Sequence, residues 1–285
     1  MARIAQEDLA DSLAQAFQFV SHHHPPDFVR ALRRALAAET HAPARAAIEQ
    51  LLVNSRLSAL GRRPVCQDTG VGQVFLRVGC GVQFFRRDGA PPWSLQAVAD
   101  EGVRRAYRDP VNPLRATMVS DPLGRRLNTR DNTPAVVHCE IVEGEALEVL
   151  VVAKGGGGDV KARFATLEPS DSVADWVVAQ LPGMGAGWCP PGTLGIGIGG
   201  TPEQAMLLAK LSLFDPIDMD LLQARGARNA EEALRLQVCE RANALGIGAQ
   251  GLGGTSAVLD VKLRTAPCHA PTIPVALVPN CPAAR

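Results

Sequence analysis

Three glycine-rich stretches punctuate the second half of this 285-residue sequence, and each adjoins an apolar run with the pattern of a β-strand or opens toward a helix. They are KGGGGD at 154–159, GTLGIGIGGT at 192–201 and LGIGAQGLGGT at 245–255. Glycine loses more conformational entropy on folding than any other residue, so the four glycines at 155–158 are costly unless something must approach the backbone closely. The sequence therefore predicts a fold in which bare backbone makes contacts that a side chain would block.

The glycine stretches do not match the common nucleotide-binding loops. None supplies the Lys followed by Ser or Thr that a P-loop needs, and none combines G-x-G-x-x-G with an acidic residue about twenty positions further on. Backbone amides in such loops nevertheless bind anions, and a carboxylate is as suitable as a phosphate. The pattern favours a small anionic ligand over ATP or a dinucleotide. Glycines that only turn corners remain an open alternative for any single stretch.

Hydrophobic periodicity predicts helices over residues 1–62 and a mixture of helices and strands over 63–285. The predicted later helices are LQAVADEGVRRAYR, SVADWVVAQL, PEQAMLLAKLSLF and EEALRLQVCERANAL. The predicted strands are TLGIGI, AVLDVKL, TIPVALV and the two halves of AVVHCEIVEGEALEVLVVA. The fold class is therefore α/β (mixed α+β), with a helical N-terminal portion. No repeat or long linker divides the chain, so we expect a single domain.

Charge and hydropathy exclude several classes of protein. Lys plus Arg and Asp plus Glu both number 29, so no net field favours nucleic acid or an anionic membrane. The apolar runs fall short of the ~20 residues that a membrane-spanning helix needs. Acidic Glu7, Asp8 and Asp11 stand where a signal peptide would be apolar. We therefore expect a cytoplasmic protein.

The seven cysteines form two groups by their surroundings. An odd, scattered set suits a reducing compartment and argues against a disulfide framework. Three lie inside apolar patterns and are predicted to be small buried hydrophobes: Cys80, Cys139 and Cys239. Three others lie in Pro- or Gly-punctuated turns at the ends of apolar segments: Cys66, Cys189 and Cys281. Loop cysteines from distant parts of a chain can meet at one metal centre, but no C-x-x-C is present, so spacing leaves this open.

Six motifs occur in an order that resembles the iron-sulfur class I fumarases and the related tartrate dehydratase α subunits. They are RPVCQDTG, NPLRATMVSDPLGRRLNTRDNTPAVVH, AKGGGGDVKARFATLEPSDSVADWV, GAGWCPPGTLGIGIGGTPEQAMLLAK, ALGIGAQGLGGTSAVLDVKL and TIPVALVPNC. The resemblance runs from about residue 25 to residue 285, and MGAGWCPPG, GIGAQGLGG and PVALVPNC place it nearer the fumarases. It implies the cluster-binding part of a hydro-lyase that reversibly hydrates fumarate to malate in the tricarboxylic acid cycle, with tartrate dehydratase α as the alternative.

The same resemblance implies a [4Fe-4S] cluster held by Cys66, Cys189 and Cys281. Three thiolates for four irons leave one iron without a protein ligand, and that iron can act as a Lewis acid on the substrate. Cys268 falls where the family usually has Thr, so it is not counted as a ligand.

The resemblance also implies roles for residues around the cluster. Asp68 and His269 match catalytic positions, although a hydrogen-bonded core histidine is the alternative for His269. The implied substrate-binding residues are Gln67, Arg115, Lys154, Gly155, Gly156 and Gly157. The second glycine stretch is expected to turn the chain tightly behind Cys189, and Gln250 in the third is expected to reach the cluster region.

The sequence departs from the family pattern at two places. Gly158, Asp159 and Val160 stand where the family has Ser-Glu-Asn, so a polar contact to substrate is expected to be absent. Single-chain members of the family also continue into a further domain that supplies catalytic groups. We therefore expect a β subunit or C-terminal hydro-lyase domain as partner, and a dimeric core. A non-catalytic, cluster-binding assembly protein is the alternative of a different class.

Overall fold

The computed structural model describes residues 2–283, which form two compact units. Unit 1 consists of residues 2–23, 55–155 and 283, and unit 2 of residues 24–54 and 156–282. The division falls inside the glycine run, after Gly155. Each unit therefore combines part of the N-terminal helices with part of the later chain, while the single-domain organisation stays a prediction.

The described residues contain helices and strands throughout, which confirms the mixed α/β class. The helices are α1 (Gln6–His22), α2 (Pro26–Ala38), α3 (Ala42–Gly61), α4 (Leu95–Tyr107), α5 (Val173–Met184), α6 (Pro202–Ser212), α7 (Met219–Arg225) and α8 (Ala230–Ala244). The strands are β1 (Ala2–Ala5), β2 (Val71–Gly79), β3 (Val82–Phe85), β4 (Val136–Val142), β5 (Leu147–Lys154), β6 (Arg163–Leu167), β7 (Gly192–Ile198), β8 (Val258–Thr265) and β9 (Ile273–Asn280). Across residues 2–283, no helix combines the length and the hydropathy needed to cross a bilayer.

Unit 1 is built on the three-stranded sheet β4-β2-β5. The central strand β2 is parallel to β4 and antiparallel to β5. Its alternate residues Val74, Leu76 and Val78 form a core with apolar side chains of α1 and α4. The sequence correctly predicted β4 and β5 as strands joined around residues 143–145. They do not pair with each other, however, because β2 lies between them.

Unit 2 is built on the four-stranded sheet β6-β9-β7-β8, in which β7 is antiparallel to β9 and parallel to β8. Two glycines of β7, Gly195 and Gly197, lie against the backbone carbonyls of Ala209 and Ala205 in α6, where a Cβ atom would overlap them. The second glycine stretch is therefore mainly a buried strand that lets a helix approach closely. The expectation that it turns the chain tightly behind Cys189 was wrong in this respect.

Candidate active site

The loop that follows Cys66 carries one half of the predicted site, within unit 1. The carboxylate of Asp68 accepts a hydrogen bond from the backbone N of Gly70 at 3.0 Å. Gly155, the first residue of the glycine run, lies directly against this carboxylate, and a Cβ atom at Gly155 would overlap it. Glycine is thus required at residue 155 because the Asp68 side chain occupies the space that a side chain would need.

Arg115 lies in a segment that is fastened to the same loop. The Thr69 hydroxyl donates to the backbone carbonyl of Arg115 at 2.5 Å. The Arg115 side chain is exposed and makes no ion pair with any residue that the structure describes. A guanidinium in this state is available to bind a carboxylate through two parallel hydrogen bonds.

Two buried side chains that the sequence analysis missed hold this loop in place. The Tyr107 hydroxyl lies 3.0 Å from the carbonyl oxygens of both Thr69 and Gly70. Asn132 donates from Nδ2 to the Gly70 carbonyl at 3.0 Å, and its Oδ1 accepts from the backbone N of Thr117 at 2.7 Å. Only faint features of the sequence pointed to these two residues. Tyr107 is the only tyrosine of the chain. Asn132 has φ 62°, a left-handed backbone conformation that asparagine tolerates.

Lys154 and Gln67 complete the unit 1 part of the site. Lys154 is the last residue of β5, stands opposite Val71 in the ladder and is only 1% exposed. Its backbone packs against Gly70, where a Cβ atom would overlap it. Gln67 is exposed, and its Oε1 lies 3.1 Å from the Sγ of Cys66. The predicted substrate-binding residues of this unit therefore surround one short loop.

Unit 2 brings Cys189 and Cys281 to one edge of its sheet. Cys281 directly follows the last residue of β9, and Cys189 precedes the first residue of β7 by three positions. Because β7 and β9 are antiparallel, with Thr193 opposite Asn280, the two cysteines lie at the same end of the strand pair.

Gly157 lies between these two cysteine segments. A Cβ atom at Gly157 would come within 3.0 Å of the Cys281 Sγ and 3.1 Å of the Trp188 carbonyl oxygen. The third glycine of the run is therefore needed for close packing against the loops that carry Cys189 and Cys281.

Polar contacts anchor the Cys189 and Cys281 loops from behind. Gln250 donates from its backbone N and from Nε2 to the carbonyl of Pro190, at 2.6 and 2.7 Å. His24 Nε2 lies 2.6 Å from the carbonyl oxygen of Pro282. Gln250 therefore fastens the residue after Cys189, and His24 contacts the residue after Cys281; the sequence analysis singled out Gln250 but not His24.

Glu39 supports the third glycine stretch. Its carboxylate accepts from the backbone N of His41 at 2.9 Å and from that of Thr255 at 2.8 Å. Burial alone would raise the pKa of Glu39, but these hydrogen bonds, with those from Thr40 and Ser256, outweigh burial and lower it. The carboxylate is therefore ionised at neutral pH and bridges the start of α3 to the loop that follows Gln250.

The remaining cysteines differ in part from expectation. Cys239 is buried as predicted, and burial raises the pKa of its thiol to about 12. Cys80 and Cys139 are exposed, so the prediction that they are buried was wrong. Cys139 lies on β4, an edge strand of its sheet, and Cys80 lies in the turn after β2. An apolar sequence pattern does not distinguish an edge strand from a central one.

The donor chemistry partly matches an iron-sulfur cluster. Cys189 and Cys281 lie at one sheet edge, and Gly157 packs against Cys281 and against the carbonyl oxygen of Trp188, the residue before Cys189. Among residues 2–283, no three His, Cys, Asp or Glu side chains form a group that could hold a metal ion. A four-iron cluster takes each thiolate at a separate corner, so its ligands stand further apart than those of a single ion. Two of the three predicted cluster ligands, Cys189 and Cys281, therefore lie at one edge of unit 2. The third, Cys66, belongs to unit 1.

His269 is not brought to the edge that carries Cys281. His269 precedes strand β9, whereas Cys281 follows that strand. The eight residues of β9 span ~26 Å, so the two residues lie at opposite ends of the strand. Its loop is fixed at the opposite end of the sheet, where the Gly200 N donates to the Pro267 carbonyl. A role for His269 at the Cys281 edge of the same copy would therefore need a large rearrangement. The assignment of His269 as catalytic stays a prediction.

The glycine run ends in residues that depart from the family pattern, and the structure shows what one of them does. Asp159 begins a short 3-10 turn, and its carboxylate pairs with Lys210 of α6 at 3.1 Å. The end of the run is thus tied to a helix of unit 2 by an ion pair.

Comparisons with known proteins identify the family of this chain. The family model for fumarate hydratase (Fumerase) matches residues 10–285. A Methanocaldococcus jannaschii protein named "Putative L(+)-tartrate dehydratase subunit alpha" is 30% identical over 97% of this chain and 95% of its own length. The L(+)-tartrate dehydratase subunits alpha of Escherichia coli and Shigella sonnei are each 30% identical over 99% of this chain and 90% of theirs. The chain therefore belongs to the fumarate hydratase (Fumerase) family of hydro-lyases.

Proposed function

We propose that this chain is the α subunit of a [4Fe-4S] hydro-lyase that reversibly hydrates fumarate to malate together with a β subunit or a C-terminal hydro-lyase domain. The observation that carries the proposal is the arrangement around Asp68 in unit 1. A carboxylate lies against the bare backbone of Gly155, and an unpaired arginine, Arg115, is fastened to the same loop. Acid-base chemistry on a small dicarboxylate needs these groups next to one another.

The substrate carries two carboxylates, and the proposal gives each a partner. The Arg115 guanidinium binds one of them through two hydrogen bonds. The backbone amides of Gly155, Gly156 and Gly157 bind the other, because these residues carry no side chain of their own. Lys154 adds positive charge at the start of the run, and Gln67 orients the substrate by a hydrogen bond. Together these groups neutralise a dianion while leaving its central carbons accessible.

The reaction moves one hydroxyl group and two protons. Malate loses the hydroxyl from C2 and a proton from C3, and the products are fumarate and water. In the hydration direction the Asp68 carboxylate accepts a proton from the attacking water, and in dehydration it returns that proton to the departing hydroxyl. When bound to Cys66, Cys189 and Cys281, the cluster supplies a Lewis-acid iron for the hydroxyl and one carboxylate. The base for the C3 proton comes from the partner.

The odd, scattered set of seven cysteines supports a cytoplasmic location, because a reducing compartment keeps cysteines unoxidised and available to iron. A dimeric core also belongs to the proposal.

Anaerobic reconstitution with iron and sulfide tests the proposed ligands. Cys66→Ser, Cys189→Ser and Cys281→Ser should each lower the visible absorption of the cluster and the bound iron per chain. Cys139→Ser is the matched control, because Cys139 is an exposed cysteine outside the proposed set. Absorption that survives all three substitutions would rule out this ligand set.

Assay of the reconstituted chain with its complementary subunit tests the substrate. Turnover should appear only when both are present, and Asp68→Asn should lower kcat, whereas Arg115→Lys should mainly raise KM. Arg30→Lys, at an exposed arginine of α2 without an ion pair in the described chain, should leave both unchanged. Full activity of the chain alone would contradict the divided site.

Two other functions are distinguished by the same assay. The names of the relatives favour an L(+)-tartrate dehydratase α subunit, which predicts a higher kcat/KM for L(+)-tartrate than for malate. A non-catalytic assembly protein predicts cluster binding and partner binding with no turnover of either diacid.

The substitution His269→Asn tests the proposed catalytic role of His269. It should lower turnover if this residue reaches the site, and unchanged turnover would show that His269 is not catalytic.

A further inference from the structure

A cavity of about 1180 Å³ lies at the surface of unit 1. Helix α1, the turn after α3, the end of α4 and the loop that follows α4 line it. Its described lining residues include none of the predicted site residues. A concave site of this size accommodates a small molecule. The cavity is therefore a candidate binding site that the proposed function does not use.

Two consecutive arginines in the turn after α3, Arg62 and Arg63, line this cavity. Both are exposed, and neither forms an ion pair with any residue that the structure describes. Guanidinium groups in this state can donate pairs of parallel hydrogen bonds to an anion. The turn after α3 therefore offers two positive charges to a ligand.

The acidic residues of the lining, Asp11 and Asp109, are already engaged. Asp11 pairs with Arg105 of α4. The Asp109 carboxylate accepts hydrogen bonds from the backbone N atoms of Val111 and Asn112, each at 2.8 Å. Neither carboxylate neutralises the arginines of the turn after α3. The charges left to bind a ligand in this cavity are therefore positive.

Arg62 occupies a backbone position that favours glycine. Its φ is 48°, and the backbone N of Arg63 donates to the carbonyl of Ser58 at 3.1 Å, the hydrogen bond of a Schellman helix end. Glycine is the usual residue at this left-handed position, because a Cβ atom is disfavoured there. The chain thus keeps a charged side chain where glycine would be more stable. Such local strain is typical of positions that bind a ligand.

An aromatic pair lines the same cavity. The rings of Phe19 and His23 stack, with centroids 4.3 Å apart and planes 13° apart. Phe19 is 59% exposed, so much of its surface is open to a ligand. The Nδ1 atoms of His22 and His23 lie 2.8 Å apart, and this contact holds the stacked imidazole in place. A flat aromatic group such as a nucleobase stacks favourably on rings of this kind.

Hydrogen bonds fix the walls of the cavity. Gln18 of α1 donates from Nε2 to the carbonyls of Ala106 at 2.6 Å and Asn112 at 2.9 Å. The backbone N of Val65 donates to the carbonyl of Ser21 at 2.9 Å, which ties the segment after the two arginines to the end of α1. A site formed before the ligand arrives costs less free energy to order on binding.

We propose that this cavity binds a nucleoside phosphate, with its phosphate groups on Arg62 and Arg63 and its base stacked on Phe19. Arginine suits phosphate because its planar guanidinium matches two phosphate oxygens at once. A small dicarboxylate would use the arginines without the ring, and an apolar ligand would use the ring without the arginines. A nucleoside phosphate uses both. This inference does not depend on which diacid, if any, the protein converts.

Isothermal titration calorimetry of the full chain with ATP, in the absence of magnesium, tests the proposal. Tripolyphosphate should bind about ten-fold more weakly than ATP because it lacks the base, and adenosine should bind more weakly still because it lacks the charge. Phe19→Leu and Arg63→Gln should each weaken ATP binding about ten-fold. Arg33→Gln, at an exposed arginine of α2 without an ion pair in the described chain, is the matched control and should bind ATP like wild type. Arg115→Lys should also bind ATP like wild type, which separates this cavity from the proposed diacid site.

Arg62→Gly provides a readout that misfolding cannot imitate. The substitution should raise the melting temperature, because glycine accepts φ 48°, and it should weaken ATP binding about ten-fold. ATP should therefore raise the melting temperature of wild type more than that of the variant.

Four results would overturn the proposal. They are a wild-type protein that binds no ATP at millimolar concentration, equal affinities for ATP and tripolyphosphate, loss of ATP binding in Arg115→Lys, and ATP binding that is unchanged in both Arg62→Gly and Arg63→Gln.

Discussion

The two units differ in the contacts that position their predicted functional residues. In unit 1, the loop carrying Asp68 is fixed by side-chain hydrogen bonds from Thr69, Tyr107 and Asn132. In unit 2, Gly157 packs so closely that a Cβ atom there would lie 3.0 Å from the Cys281 Sγ and 3.1 Å from the Trp188 carbonyl oxygen. A hydrogen bond contributes about 1 kcal/mol and can lengthen slightly, whereas a methyl group added to a tight contact shifts its neighbours by a few tenths of an ångström. The loop that carries Asp68 should therefore tolerate the loss of one contact better than the Cys281 segment tolerates an added methyl group.

The largest effect on iron binding is expected for Gly157→Ala in unit 2. The new methyl group would press on the Cys281 Sγ and the Trp188 carbonyl oxygen. We expect iron binding after reconstitution to weaken about ten-fold, the order of loss seen when the surroundings of a metal ligand are disturbed. Iron content and visible absorption give the measurement. Gly183→Ala is the matched control, since no atom lies within 4 Å of the added methyl group there. Equal iron content in the two variants would show that close packing at Gly157 does not affect iron binding.

Asn132→Gly tests the polar anchoring of unit 1. Glycine accepts the left-handed backbone of residue 132, so the change removes the side-chain hydrogen bonds to Gly70 and Thr117 without backbone strain. We expect the free energy of unfolding to fall by about 2–3 kcal/mol, because buried groups lose their partners. Urea unfolding measures it, and KM for the diacid should rise as the segment carrying Arg115 loosens. A loss below the error of the measurement would show that the loop is held by something else.

Glu39→Gln tests the polar support within unit 2 and gives it a pH signature. The amide would place a donor against the Thr255 N, so we expect a loss of about 1.5 kcal/mol at pH 7. Folding lowers the pKa of Glu39, so its ionised carboxylate stabilises the folded protein fully at neutral pH. This stabilisation is lost as the pH falls below the usual pKa of 4.5 and then through the lower pKa of the folded state. The stability difference between wild type and variant should therefore shrink in acid. A difference that stays constant from neutral pH into acid would contradict this account.

The smallest effect is expected for Tyr107→Phe. The ring stays buried, and only the hydroxyl near the Thr69 and Gly70 carbonyls is removed. We expect about 1 kcal/mol less stability, with unchanged iron binding. Chemical unfolding and iron analysis on the same preparation measure both quantities. Iron loss in this variant would show that the two parts of the site are not held independently.

The sequence predicted strands β4, β5, β7, β8 and β9, but it did not predict β2, the longest strand, and the helical prediction over residues 1–62 missed β1. It could not predict that β2 separates β4 from β5, because strand order depends on a segment some sixty residues away in the chain. Cys139 was placed inside because a pattern does not reveal which strand is at an edge, and Cys80 because the pattern did not show that β2 ends at Gly79. Tyr107 and Asn132 were missed because their partners are backbone carbonyls, and backbone carbonyls have no sequence signature.

By itself the sequence determined the chemical groups of this protein and their family: three loop cysteines, an Asp after the first, and glycines in runs that a side chain could not replace. Only the tertiary structure decided what each glycine is for, with Gly155 against the Asp68 carboxylate and Gly157 against the Cys281 thiol. It also placed Cys189 near Cys281 and His269 at the far end of β9. The reason is strand register, which fixes the distance between residues far apart in the chain and cannot be read from either segment alone.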